Sequence, residues 1–310
     1  MSTASTFKHH TKQVPGVKSA RWLEGCIYAF LLSCAAVSII TTVGIVLVLL
    51  SQSIPFFAEV SIVDFLTGTR WAPLFDPPHF GILPLFCGTF LVAGGSALIA
   101  VPLGLGTAIY LSEYASPLVR DIVKPLLEIL AGIPSVVFGY VAIVFVSPWV
   151  RQIFPSADLF NAFNACVVVS IMILPMIISL SEDVLRAVPR SLREGAYALG
   201  ATKLDVTVKV VVPAALSGIV ASFILAITRA IGETMAVTLA AGANAKLTLN
   251  PLTSIQTMTA YIVEVSQGDI PAGSLEHRTI FAVGLTLFSS TFMLNIFAQW
   301  ILSRMRERYE

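Results

Sequence analysis

The chain has 310 residues, 56% of them hydrophobic and only 12% charged, about half the charged share of an ordinary soluble domain. A net charge of +1 argues against a nucleic-acid binder, which carries a basic surplus. The four cysteines (Cys26, Cys34, Cys87, Cys166) lie singly in apolar stretches with no CxxC pair, so a disulfide frame or metal site is not expected.

This is the composition of an integral membrane protein, and the apolar runs divide it in order. Residues 1–26 read as a basic N-terminal tail with Lys8, Lys12, Lys18 and Arg21. Ile27 to Leu50 is the first segment to reach the roughly 20 apolar residues that one helical crossing needs. It exceeds the usual core of about 7–15 residues in a cleaved signal, and no A-x-A site follows, so we expect it to be retained. An outer loop, Ser51 to Gly81, contains "TGTRWAPLFDPPHFG", rich in turn formers and aromatics. The second span, Ile82 to Leu111, is crowded with Gly, Ala and Ser, which let helix backbones approach closely in lipid. Ile129 to Val150 and Ala162 to Ser181 supply the third and fourth. Pro102, Pro134 and Pro175 are expected to interrupt the second, third and fourth spans.

Residues 182–213 form a connecting loop that contains "SLREGAYALG". Ser191 and Glu194 have capping-box spacing, so a short helix is expected to start at Ser191, run through Leu199 and stop at Gly200. Taken from the residues alone, it is a docking helix or an amphipathic helix resting on lipid.

Ala214 to Ala241 qualifies as the fifth span only if Arg229 and Glu233 are tolerated within it. Arg229 would then lie roughly 18 Å or more from either interface, too deep for snorkelling alone. A mid-membrane arginine costs on the order of 2.5–3.5 kcal/mol, so it should face protein or water. Glu233 follows one turn later, within ion-pair reach. Two readings stand side by side. In one the pair neutralises itself and pins helices. In the other the guanidinium fork offers donors to a tetrahedral oxyanion, with Glu233 holding it or relaying a proton, and Thr228 and Thr234 adding hydroxyls.

The outer loop Ala243 to Arg278 holds "NPLTSIQTMTAYIVEV", read as a short surface helix, then the turn "QGDIPAG". Ile280 to Leu302 is the sixth span, and residues 303–310 form the C-terminal tail. Fourteen Lys and Arg fall on the side of the two termini and four (Arg70, Arg151, Lys246, Arg278) on the other. The positive-inside rule then places both termini in the cytoplasm.

Two sets of residues carry a resemblance. Glu194, Gly195, Ala196, then Gly200, and later Val210, Val212 and Pro213, resemble the "EAA" loop of ATP-binding-cassette (ABC) importer permeases. Gly195 replaces the first alanine of that pattern, and Val210 and Val212 replace larger aliphatics. The likeness implies a coupling helix seated in a groove of a separate ATPase subunit. "TRAIGETMAVTLAAG" and "LAGIPSVVFGYVA" resemble the permease subunits of the high-affinity bacterial phosphate importer, and the outer "W-A-P…FGILPL" segment with the six-span layout resembles the C-type subunit more than the A-type. That likeness covers most of the chain from Phe65 onward.

It implies an all-α, six-span type I ABC importer permease in the bacterial inner membrane, with alternating access for phosphate. Its implied partners are an A-type permease, two ATPase subunits that bind ATP and Mg, and an external phosphate-binding protein. Arg229 and Glu233 become pathway residues, and Ser135 lies near the route. No cofactor is expected in this chain, and no lysine completes a P-loop. Another oxyanion, such as sulfate or molybdate, or a proton-coupled secondary transporter using Glu233, remains the alternative. An enzyme is disfavoured: His9, His10, His79 and His277 lie outside the spans, and no nucleophile–base pair is evident.

Overall fold

A computed structural model describes residues 17–271 and 273–305; Lys8, Lys12, Arg306 and Arg308 of the charge count lie outside them. Two compact units divide the chain, residues 1–51 and 52–310. The described part of the first is wholly helical, the start of α1 (Val17–Glu59), whose helix begins ahead of the apolar segment. Its stretch 27–50 carries no charged residue on any side, a pattern that suits a helix facing lipid.

The second unit opens with a small cap: α2 (Ile62–Thr67), β1 (Trp71–Ala72) and β2 (His79–Phe80), the strands antiparallel with Trp71 opposite Phe80. Phe56, Phe65 and Trp71 pack edge to face down to Tyr261, filling the core at this end.

Helix α3 (Leu83–Ile109) continues as a π turn to Tyr114, and α4 (Pro117–Ala131) buries no residue. After a break come α5 (Ser135–Val141), a π turn (Ala142–Val146) and α6 (Ser147–Ile153). The central partner of α3 is α7 (Ala162–Ala187). Small residues permit their close approach: a Cβ on Gly95 would stand 2.4 Å from Cys166 Sγ, and one on Gly104 would stand 2.6 Å from Ile177 Cγ2. Then follow α8 (Arg190–Ala198), α9 (Lys203–Val206), a π turn (Thr207–Val211), α10 (Val212–Ile231), α11 (Met235–Ala241), α12 (Met258–Gln267) and α13 (Leu275–Met305). Among the described residues six stretches are long and apolar enough to cross a membrane: 24–59, 83–114, 135–153, 162–187, 203–231 and 275–304.

Several expectations are corrected. Pro102 and Pro175 sit inside continuous helices and do not interrupt them; membrane helices tolerate an interior proline. Pro134 does break the chain: it follows Gly132 and Ile133, and the residue before a proline is driven out of the α region. The third span therefore starts at Ser135, and Ile129 to Ala131 belong to α4. The fifth apolar segment is two helices, parted at residues 232–234. Helix α12 is no surface helix. Its Met258, Ala260, Tyr261 and Val265 are buried, because the loop folds inward and Met258 N–H donates to Thr89 Oγ1 at 3.0 Å.

Helix α8 starts one residue early, at Arg190, with Pro189 in the cap position and no side-chain cap bond. The Ser191–Glu194 capping box does not form, because proline's fixed φ already sets the entry and leaves Ser191 within the first turn. The reciprocal box forms instead at the start of α9, between Thr202 and Asp205. The stop at Gly200 holds, with φ +82, a backbone region that glycine enters without strain.

Candidate functional site

The break between α10 and α11 organises the site. Arg229 occupies the last turn of α10, where unsatisfied carbonyls favour a cation. Gly232 ends the helix, and Glu233 sits in the break with 5% of its side chain exposed. Its Oε1 accepts from Ala236 N–H at 3.3 Å, so the carboxylate faces the positive start of α11. Thr259 Oγ1 donates to the Glu233 backbone carbonyl at 2.8 Å, fastening the break to α12. Glu233 is thus held from two sides, without needing the arginine.

Arg229 is held loosely. Its Nη1 lies 3.7 Å from Glu233 Oε2, an ion pair longer than a hydrogen bond, and its side chain is 49% exposed. Arg229 lines a cavity of about 340 Å³ between α4, α7 and α10. Lys124 and Glu128 from α4 and Ser179 from α7 share that lining; the other walls are apolar. A half-open guanidinium with spare donors, one carboxylate buried behind it and a cavity in front, is suited to meeting a small anion and releasing it.

The other expected residues are spread around this centre. Thr228 turns toward α13, donating to Asn295 Oδ1 at 3.3 Å, and Thr234 Oγ1 donates to Gly232 O at 3.2 Å within the break. Ser135 begins α5, half-buried, and α5 packs on α11. Gly139 makes that contact close: a Cβ there would stand 2.8 Å from Leu239 Cβ. Of the five residues, Arg229 alone lines the α4–α7–α10 cavity.

A second cluster lies at the end of the bundle that bears α8. Ser191, Glu194 and Gly195 are exposed, and so are Tyr197 and Leu199, the latter 90%. Ala196 packs partly against the core formed by Leu185, Val206 and Val211. Arg193 ties the helix down: Nη1 forks onto both Glu113 oxygens at 2.7 and 2.8 Å, and Nη2 donates to Leu185 O at 2.7 Å. Beside it Glu182 is fully buried among Arg120, at 3.3 Å, Arg186, at 3.5 Å, and Lys124. Sequence reasoning passed over Glu182, because it falls at the boundary between a span and a loop, where a lone carboxylate looks solvated. A signal was present: Glu182 and Arg186 stand four apart within "SEDVLR".

The family described as "Binding-protein-dependent transport system inner membrane component" matches residues 100–307. The probable ABC transporter permease protein YqgH of Bacillus subtilis (strain 168) is 36% identical over 274 residues, 88% of each chain. Phosphate transport system permease protein PstC is 35% identical in Haemophilus influenzae, covering 79% of this chain and 82% of that one. In Mesorhizobium japonicum it is 33% identical, covering 79% and 80%. A bacterial ABC transporter involved in alginate import shares the fold at TM-score 0.64 and 14% identity, over 94% of this chain and 99% of that one. The MetNI methionine ABC transporter, inward facing, does so at TM-score 0.55 and 18% identity, over 73% and 95%. The chain belongs to the binding-protein-dependent inner membrane component family: it is a multi-pass membrane protein with the type I ABC importer permease fold.

Proposed function

From that membership we propose that the chain is the membrane subunit of an ATP-driven importer that carries inorganic phosphate inward by alternating access. The observation that carries this reading is Arg229, half-open to the α4–α7–α10 cavity at a helix break, with Glu233 independently fixed behind it. An anion accepting two or more charge-assisted donors there is stabilised in passage but not trapped, since a half-exposed site still competes with water. The similarity to proteins named as phosphate permeases supports phosphate in particular. Thr228, Thr234 and Ser135 stand beside the route and shape it.

In this reading both termini and α8 are cytoplasmic, and the membrane is the bacterial inner membrane. Helix α8, with Ser191, Glu194, Gly195, Ala196 and Gly200, fits a groove of a separate ATPase subunit, its exposed Tyr197 and Leu199 supplying the apolar contact. Two such ATPases hold ATP and Mg and do the hydrolysis, an A-type permease completes the path, and an external phosphate-binding protein delivers the ion to the outer loops. ATP-driven closure of the ATPases moves α8 and shifts the bundle between outward-open and inward-open states. Residues 1–26 and 303–310 are tails, and 27–302, with the coupling loop 182–213, is the permease domain.

The test is uptake in cells lacking this chain. Loss of phosphate uptake with sulfate and molybdate uptake intact supports the reading. Loss of sulfate or molybdate uptake with phosphate uptake intact transfers the mechanism to that oxyanion.

A further inference from the structure

The cavity that receives Arg229 has a second cation, and the site as described gives it no task. Lys124 lines it from α4 together with Leu127, Glu128 and Ala131, the i, i+3, i+4, i+7 face of that helix. From Ala131 to Lys124 this face runs about 10 Å along the helix, at about 1.5 Å per residue. Ser179 faces the same space from α7, and one turn further along α7 stand Glu182 and Asp183, both paired with Lys124. The Lys124 side chain is 30% exposed, Asp183 lies 3.2 Å from the ammonium and is itself 60% exposed, and Glu182 is fully buried. Those two carboxylates push the Lys124 pKa upward against burial, so it stays a cation.

We propose that Lys124 is the second anion ligand of the path. An anion leaving Arg229 through this cavity is taken by Lys124, which exchanges Asp183 and part of its hold on Glu182 for the anion. The inference rests on reading the Arg229 cavity as an anion path. Glu128, in the same lining, opposes retention, so the ion is passed on and not kept. The exchange has a structural consequence. Glu182 also pairs with Arg120, whose Nη2 donates to Leu111 O at 2.7 Å, beside the Glu113 that anchors Arg193 of α8. Arg120 Nη2 also donates to Ser112 O at 3.5 Å, and Ser112 Oγ donates to Glu113 Oε1 at 2.9 Å, so polar contacts, with one covalent step through Ser112, link the cavity to α8.

The experiment uses the complex co-purified from native membranes and reconstituted in vesicles with ATP and the ATPase side outward. The readout is the concentration of inorganic phosphate on the ATPase side that halves the transport rate. Losing one charge-assisted ligand should raise that concentration about tenfold or more in Lys124→Gln. Lys124→Arg, which keeps a cation, should stay within about threefold of wild type. Asp183→Asn frees the ammonium without emptying the buried hub, and should lower the concentration. A brace between α4 and α7 behaves differently, since Lys124→Gln and Asp183→Asn break the same contact and would shift the value in the same direction. That outcome overturns the proposal, and so does a wild-type complex that phosphate on this side does not inhibit. If the complex drives sulfate but not phosphate, the substrate reading fails, and the same three ratios, read with sulfate, still decide the role of Lys124.

Discussion

Replacing Arg229 by alanine separates an anion ligand from a helix pin. In the structure the guanidinium has one ion-pair partner among the described residues, Glu233, at 3.7 Å, and the side chain is 49% exposed. Most of its five donors are therefore available to a passing ion. Each charge-assisted hydrogen bond contributes about 1.5–3 kcal/mol, so two of them give about 3–6 kcal/mol. At about 1.4 kcal/mol per factor of ten that is roughly 10²- to 10⁴-fold in transport, and solvent in the cavity favours the lower end, near 100-fold. Glu233 keeps its Ala236 N–H bond and Thr259 its bond to the Glu233 carbonyl, so the break should persist. The assay is initial phosphate uptake at fixed expression, alongside co-purification of the assembled complex. Arg229→Lys retains charge but loses the fork, and should fall between, about tenfold below wild type. Uptake at the wild-type rate in Arg229→Ala refutes the anion role. A loss of uptake matched by loss of the complex would return the pair to helix pinning.

Other outcomes follow from the same geometry. Glu194→Lys reverses a charge exposed on α8 and should reduce ATPase recovery in a pull-down through this chain; undiminished recovery would sink the docking assignment. Glu182→Ala leaves Arg120, Lys124 and Arg186 without their shared buried carboxylate, at a cost of about 1.5–3 kcal/mol because those cations are partly exposed, read as a lower midpoint of thermal unfolding in detergent. An unchanged midpoint would mean the cluster is solvated. Gly104→Val drives a branched side chain into Ile177, 2.6 Å from its Cβ, and should destabilise by about 1–3 kcal/mol, while Gly106→Val, with nothing within 4 Å, should not. Equal midpoints for the two variants would contradict the close approach of α3 to α7.

Much of the architecture was legible locally. Six crossings follow from run length and hydropathy alone, since lipid allows few other ways to satisfy a backbone. The stop of α8 at Gly200 follows from one residue's access to positive φ. That Arg229 and Glu233 meet followed from their four-residue spacing, though they meet across a helix end and not along a continuous helix. The Ser191–Glu194 box failed for a local reason too, because Pro189 had already set the entry of α8.

What the chain encoded by itself was therefore where it enters lipid, where short helices end and which charges are near neighbours. Tertiary structure alone decided that α12 is drawn inward, and that Glu182 draws in cations from α4 and α7. It also set Lys124 and Arg229, 105 positions apart, around one cavity. The physical reason is range: hydropathy, φ preference and i,i+4 spacing act within a few residues, whereas burial of a carboxylate and the lining of a cavity depend on helices that meet only once the bundle has assembled.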